Sequence, residues 1–324
     1  MKAIEVRAFG NPADIEVHEI DAPPAPGPQQ LRLDVAGVGV GYFDGLLIRG
    51  DYQIRPEPPF VPGSSIAGIV ESVGEGVQHL KPGMAVAAFA LHGGMAEQVL
   101  LPAASCAPLP PGLDLKAAAN FFISWATSLY GLREIGQLQA DETVLVLGGA
   151  GSTGTTAIEC ARALGARVIA AASSGVKRQH CLDHGADSVV DYTAPDWREQ
   201  VKTATQGCGV DMVYDPVGGT MAEPALRLLA PGGRYLVVGF VAGIASIPLN
   251  LTLLKRCSIH GVNWGGTVMA DPSVVAPVIK TLVEWALTGK IDPAPAQVYS
   301  LDQAGEAFDA LFSRRSLGGI VIAP

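Results

Sequence analysis

Five apolar-rich residues, Thr143–Leu147, run straight into Gly-Gly-Ala-Gly-Ser-Thr-Gly at 148–154. Beyond that loop, Ala157, Cys160, Ala161 and Leu164 recur at i, i+3, i+4 and i+7, Gly165 interrupts the pattern, and a second apolar run starts at Arg167. Residues at that spacing share one face of a helix, and a glycine just past the last of them is a helix stop. A strand, a glycine-rich turn, a helix and a second strand in so short a span leave few folds. The two strands are expected to lie parallel, with the helix crossing back over one face of their sheet.

The alternation continues. Strands are expected at 143–147, 167–172, 188–191, 210–214, 233–238 and 258–262, with helical stretches near 152–164, 176–184, 195–204 and 220–229. Near-continuous apolar strands of this kind belong to a parallel sheet covered on both faces, a doubly wound α/β arrangement. The first hundred residues read differently. Short runs such as "IEVRAF", "LRLDVAGVGV", "IAGIVESVG", "AVAAF" and "AEQVLLP" are separated by Gly and Pro, which points to a small β-barrel or sandwich. Ala117–Ile135 reads as helical. The last sixty or so residues offer two helices, about 273–288 and 302–314, and two strands, "AQVYSL" and "GGIVIA", expected to rejoin the N-terminal β unit.

Composition narrows the function. Hydrophobic residues at 48% and charged residues at 16% exclude disorder, and a net charge of −9 argues against nucleic acid. The five cysteines are scattered with no CxxC pair, which suits a reducing compartment. The N-terminus alternates like a strand rather than a signal sequence, and no run of about twenty apolar residues is present to span a bilayer. The expectation is a cytoplasmic protein with no membrane partner.

Gly149, Gly151 and Gly154 spell G-x-G-x-x-G. In such a turn the first glycine permits the bend and the second lets backbone approach a pyrophosphate. The third lets helix and strand pack closely, while the amides of Ser152 and Thr153 face the anion at the helix N-terminus. The plain alternative is an ordinary glycine turn, but a complete strand–turn–helix–strand unit favours a dinucleotide. The second strand ends "AAASSGVKR" (170–178), without the Asp or Glu that would accept ribose hydroxyls. Ser173 and Ser174 offer hydroxyls, and Lys177 and Arg178 offer cations one turn into the next helix, a set that favours a 2′-phosphate and hence NADPH. The alternative is a solvated helix start.

With these motifs in view, the whole chain resembles the zinc-independent medium-chain dehydrogenase/reductases, in their NADPH:quinone oxidoreductase branch. The resemblance is carried by "PFVPGSSIAGIVESVGEGV" (59–77), "VLVLGGAGSTG" (144–154), "GARVIAAASS" (165–174), "GADSVVDY" (185–192), "GVDMVYDPVGG" (209–219), "GGRYLVVGF" (232–240) and the closing "GGIVI". It implies a discontinuous GroES-like β-barrel catalytic domain, 1–122 with 263–324, around a Rossmann domain at 123–262, and an active site in the cleft between them. It also implies a homodimer paired through strand 258–262. Carried over by position, Ser152, Thr153 and Gly154 meet the pyrophosphate, and Ser173, Lys177 and Tyr192 surround the adenosine phosphate. Thr127, Phe240 and Val241 contact the nicotinamide end. Each has a plainer reading: Tyr192 as a strand cap, Thr127 as a helix-core hydroxyl, Phe240 as a core aromatic.

Zinc-dependent relatives need a thiolate and a histidine on the metal. Here the corresponding stretches read "GVGVGYFDG" and "PGSSIAG", so no metal ligand set is expected. Without a Lewis acid, the acceptors implied are already electron-poor: quinones or α,β-unsaturated carbonyls. These need a hydrogen-bond donor and then a proton after hydride arrives. In "VGYFDGLLIRGDY" (40–52), Asp44 and Tyr52 match the family pattern, whereas Gly41 stands where relatives carry Asn. Tyr52 is the candidate proton donor, since tyrosine phenols carry their proton at neutral pH; its alternative is a lid residue. Asp44 reads more as a backbone-orienting carboxylate than as an acid, and Tyr42 is placed to compensate for the missing amide. A further departure is Gly319 where relatives carry Lys, with Arg314 and Arg315 nearby. Two other readings stay open: an enoyl-thioester reductase, and a non-catalytic NADPH-binding or sensor protein.

Overall fold

The computed structural model describes residues 1–324. Seven strands come first: β1 (Lys2–Ile4), β2 (Val17–Glu19), β3 (Gln30–Val40), β4 (Ser65–Val73), β5 (Ala85–Phe89), β6 (Gln98–Pro102) and β7 (Cys106–Pro108). The parallel series follows as β8 (Thr143–Leu147), β9 (Arg167–Ala171), β10 (Ser188–Val190), β11 (Val210–Asp215), β12 (Leu229–Val237) and β13 (Ser258–Gly261). β14 (Gln297–Ser300) and β15 (Ile320–Ala323) close the chain. Two compact units result, Met1–Ser124 with Thr267–Pro324, and Trp125–Gly266.

In the first unit a seven-stranded sheet runs β14-β15-β3-β4-β5-β7, with β6 also bonded to β3. β3 organises it. One edge lies along β4, and the other is shared, its first half pairing β6 at Gln30–Asp34 and its last residues pairing β15 at Val38–Val40. The closing strands thus rejoin the N-terminal β unit, as the sequence leads one to expect. Two register shifts, between Arg32 and Leu33 and between Val35 and Gly37, bend β3 as an extra residue in a ladder does. One face carries Leu31, Leu33, Ile66, Val70 and Val86, all fully buried. Removing each such side chain from water stabilises the fold by about 1.5–3 kcal/mol.

In the second unit six parallel strands run β10-β9-β8-β11-β12-β13. That order reverses direction at β8, so the crevice outside the carboxyl ends of β8 and β11 is where such a sheet binds ligands. Its core is built from Leu145, Leu147, Ile169, Val213 and Tyr235, at most 1% exposed. β12 starts four residues earlier than the sequence pattern indicates, because Leu229 already pairs with Val210.

Several helices were not legible in the sequence. α1 (Tyr42–Arg49) follows β3 directly, starting from Gly41 and ending at Gly50, which has φ +70°. The helical region expected at 117–135 is observed as α2 (Leu115–Ala118) and then a continuous helical stretch from Phe121 to Ile135, in which wide turns at Phe121–Trp125 and Tyr130–Ile135 flank α3 (Ala126–Leu129). α4 (Ser152–Ala163) and α5 (Gly175–Asp183) lie close to where they are expected. No single helix is long and apolar enough to cross a membrane.

Candidate functional site

The glycine-rich turn leaves β8 at Gly148 and enters α4 at Ser152. Each glycine answers a different constraint. A Cβ on Gly154 would lie 2.2 Å from the Gly148 carbonyl oxygen and 2.8 Å from Gly149 Cα, so only hydrogen fits. A Cβ on Gly149 would meet Ala170 Cβ and Cys181 Sγ, both at 3.0 Å, so the turn is pressed against β9 and α5. Gly151 is open: its Cβ would meet nothing nearer than the Gly148 oxygen at 3.4 Å. It caps α4 without any side-chain acceptor. The missing Cβ therefore leaves a cradle over the positive end of a twelve-residue helix, where backbone amides favour an anion. These residues fit a dinucleotide pyrophosphate.

The turn is braced from below by residues that sequence reasoning missed. Thr155 Oγ1 donates to the Gly149 carbonyl at 3.3 Å and lies 2.9 Å from His180 Nε2 on α5. Ser128 Oγ on α3 donates to the Thr153 carbonyl at 3.2 Å and stands 2.7 Å from Thr156 Oγ1 and 3.1 Å from the Tyr214 hydroxyl. Both sets join residues distant in sequence, and no local pattern marks them. Ser128 is thus the buried hydroxyl of this helix, whereas its neighbour Thr127 is half-buried.

At the end of β9, Ser174 caps α5 by accepting from the Lys177 amide at 3.3 Å. Ser173 and Lys177 are half-buried and Ser174 is exposed. Arg178 is committed elsewhere: its guanidinium holds Asp191 Oδ2 at 2.7 Å, just past β10. Thr193 and that guanidinium together hold the Asp191 carboxyl below the usual carboxylate range. Tyr192 is partly buried and packs against the core of the parallel sheet. An acid does approach this corner, then, but from the third strand and already paired with a cation.

On the far side of β8, the loops after β11 and β12 lie backbone to backbone. Gly219 N–H donates to the Gly243 carbonyl at 2.7 Å, and Ala242 N–H to the Val217 carbonyl at 2.8 Å. Phe240, on the second loop, is 52% exposed, which rules out the plain reading of a core aromatic. Val241 beside it is half-buried.

In the first unit, Asp44 is fully buried on α1. Its Oδ2 accepts from the Gly41 amide at 2.8 Å and its Oδ1 from the Ser64 hydroxyl at 2.9 Å. Burial pushes its carboxyl up to about 6, against the opposing pull of those donors. A Cβ at Gly41 would sit 3.4 Å from Asp44 Oδ2 and from two Ile123 methyl carbons, ordinary contact distances, so that site has room for a side chain. Tyr42 packs on Phe312 with ring centroids 4.7 Å apart, and Arg49 covers the Phe312 ring at 4.1 Å. Tyr52 meets Phe43 edge-on at 4.6 Å. Of the two arginines near Gly319, Arg315 is tied to Asp309 and to Ser313, and Arg314 adopts φ +57°.

Two family models match the chain: an alcohol dehydrogenase GroES-like domain at residues 27–111 and a zinc-binding dehydrogenase at residues 152–284. Quinone oxidoreductase of Rattus norvegicus is 31% identical over 324 residues, covering 99% of this chain and 97% of the relative. The chain belongs to the quinone oxidoreductase branch of the medium-chain dehydrogenase/reductases. Quinone oxidoreductase-like protein 2 from the same organism is 35% identical, covering 93% of this chain and 87% of the relative. Among solved structures, Escherichia coli quinone oxidoreductase complexed with NADPH aligns with a TM-score of 0.91 at 27% identity, with both chains fully covered. A probable oxidoreductase from Mycobacterium abscessus gives 0.91 at 34%, covering 100% of this chain and 99% of that one.

The fold class follows: an α/β chain with a GroES-like unit and a Rossmann unit. The matched dehydrogenase family is described as zinc-binding, and this chain's residues do not fit that metal. No group of three or more His, Cys, Asp or Glu side chains is gathered to hold an ion. The buried Asp44 spends its oxygens on the Gly41 amide and the Ser64 hydroxyl.

Proposed function

We propose that the chain is an NADPH-dependent oxidoreductase that reduces quinones or α,β-unsaturated carbonyls by hydride transfer without zinc. The observation that carries this reading is the open cradle at Gly151, over the N-terminus of α4, beside a second strand that ends in serines rather than an acid. Bound NADPH supplies the hydride. The chain's own residues do the rest. The amides of Ser152, Thr153 and Gly154 hold the pyrophosphate, while Ser173, Ser174, Lys177 and Tyr192 surround the adenosine phosphate. Thr127, Phe240 and Val241 orient the nicotinamide end. Tyr52, just past the end of α1, delivers a proton to the reduced acceptor, Tyr42 helps orient its oxygen, and Asp44 fixes the start of α1, where Tyr42 is displayed. Hydride addition to a conjugated system leaves an enolate or hydroquinone anion, which a phenol can protonate without a metal to polarise the carbonyl.

We also propose that two copies pair through β13, the edge strand of the parallel sheet, which carries the exposed Ile259 and is preceded in the chain by the exposed Leu253 and Leu254. Stopped-flow loss of NADPH absorbance, with a quinone and an enone as acceptors and a chelator in the buffer, tests the reading. Turnover of either acceptor that survives the chelator is the expected result. A stoichiometric zinc requirement, or no oxidation of NADPH by either, would overturn it.

A further inference from the structure

Asp215 closes β11 with its side chain 2% exposed, and its carboxylate is held by hydrogen-bond donors alone. Oδ1 accepts from the amides of Val217 at 2.7 Å and Gly218 at 2.8 Å. Oδ2 accepts from the Tyr235 hydroxyl on β12 at 2.5 Å. Burial and the adjacent carboxylate both push the Tyr235 phenol up, so it keeps its proton and donates. A buried carboxylate costs free energy unless fully bonded, and an apolar side chain would fill the same space. Packing therefore does not explain its presence; what it orients does.

It orients a short loop. The backbone oxygen of Asp215 accepts from Val238 and Gly239, at 2.8 and 3.2 Å, which ties the end of β11 to the end of β12. The loop at 216–219 then locks onto the loop at 239–243. Gly218 and Gly219 have φ +68° and +59°, and a Cβ on either would lie 2.7 Å from the Gly243 oxygen or 2.5 Å from the Ala242 oxygen. On its other side, Val217 leans on the glycine-rich turn, since a Cβ on Gly148 would lie 2.9 Å from Val217 Cγ2. Val217 is thus a spacer between the turn that meets the pyrophosphate and the loop that displays Phe240 and Val241.

We propose that Asp215 and Tyr235 are positioning residues for the dinucleotide, setting through Val217 the distance between the Gly148–Gly154 turn and the Phe240–Val241 loop. The inference rests on the cofactor reading above. It is separable from overall stability, because the adenosine end of the site, on β9 and α5, makes no use of this spacer.

The test compares Tyr235→Phe with Asp215→Asn. The first keeps the ring and deletes one donor. The second keeps an amide oxygen for Val217 and Gly218 and turns its NH2 toward the Tyr235 oxygen, so it should rescue the geometry. Binding is measured for NADPH and for 2′,5′-ADP, which has the adenosine phosphate but no nicotinamide. Amide hydrogen exchange of 216–219 and 239–243 is measured in the ligand-free protein. For Tyr235→Phe, exchange in both loops should quicken and NADPH should bind about tenfold more weakly, with 2′,5′-ADP unchanged. Asp215→Asn should stay within about threefold of wild type on all three. Equal weakening of both ligands, or unchanged exchange in Tyr235→Phe, would overturn the proposal. Wild-type protein that binds neither ligand would overturn the cofactor reading instead, and the exchange measurement would still decide whether the pair fixes the two loops.

Discussion

Ser64 Oγ and Asp44 Oδ1 meet at 2.9 Å, joining the residue before β4 to the first turn of α1. The hydroxyl donates, the carboxylate accepts, and the Gly41 amide completes the set at 2.8 Å. The result is a closed corner of neutral donors around one buried acid.

That acid makes stability depend on pH. Burial raises the folded carboxyl of Asp44 to about 6 from an ordinary value of 3.8, so the folded state binds the proton more tightly than the unfolded chain. The contribution is fully present below pH 3.8 and is lost as pH rises through about 6. From pH 5 to pH 7.5 the wild type should lose about 1.4 kcal/mol relative to Asp44→Asn, which cannot titrate. Urea unfolding of both proteins at the two pH values measures the difference. A constant gap between them would contradict the assignment.

Gly151 and Gly154 should respond oppositely to the same added methyl group. Gly154→Ala drives Cβ into the Gly148 carbonyl at 2.2 Å, so the Rossmann unit should lose stability and melt earlier. Gly151→Ala meets only an ordinary 3.4 Å contact, so its melting temperature should match wild type while NADPH affinity falls at least about tenfold. Thermal melts and cofactor titrations on both variants distinguish a structural glycine from one that admits a ligand.

Lys177 and Arg178 are adjacent cations with unequal prospects. Arg178 is already paired with Asp191 at 2.7 Å, so Arg178→Ala should change cofactor preference little. Lys177→Ala should weaken NADPH by about 1.5–3 kcal/mol, roughly ten- to hundredfold, and leave NADH unaffected. Titration of both cofactors against the three proteins checks this, and equal wild-type affinity for NADH and NADPH would sink the phosphate assignment.

Tyr52→Phe retains the ring that packs edge-on against Phe43 and deletes only the hydroxyl. NADPH binding should survive, and enone turnover should fall by about 10²–10⁴-fold, the usual contribution of a general acid. Quinone turnover should fall less, because a hydroquinone anion is a weaker base and takes its proton from water. Equal losses with both acceptors would make Tyr52 a positioning residue.

The parts of this fold legible in the sequence are those written in local periodicity. The alternation from Thr143 to Val262 determines the parallel sheet because apolar runs of that length have few other uses, and the glycine triplet marks the turn from β8 into α4. α1 escaped notice because Tyr42–Arg49 follows an apolar strand without a side-chain N-cap, its cap being supplied by Asp44 reaching back to the Gly41 amide. The helical region around Trp125 was visible, but its two wide turns were not, since they arise from packing rather than propensity. The hidden part of the site is tertiary: Ser128 beneath Thr153, His180 beneath Thr155, and Tyr235 on Asp215 each join residues at least twenty apart.

The divided edge of β3 bears on the order in which this chain acquires structure during synthesis. Val38–Val40 are made early, yet the partner that covers them, Ile320–Ala323, leaves the ribosome only after every strand of the parallel sheet has done so. The Rossmann unit, contiguous from Trp125 to Gly266, has all its strands in hand while its neighbour still lacks β14 and β15. A nascent chain halted near residue 300 would carry a finished nucleotide-binding half and an open apolar strand edge, a surface that invites pairing with another chain or capture by a chaperone.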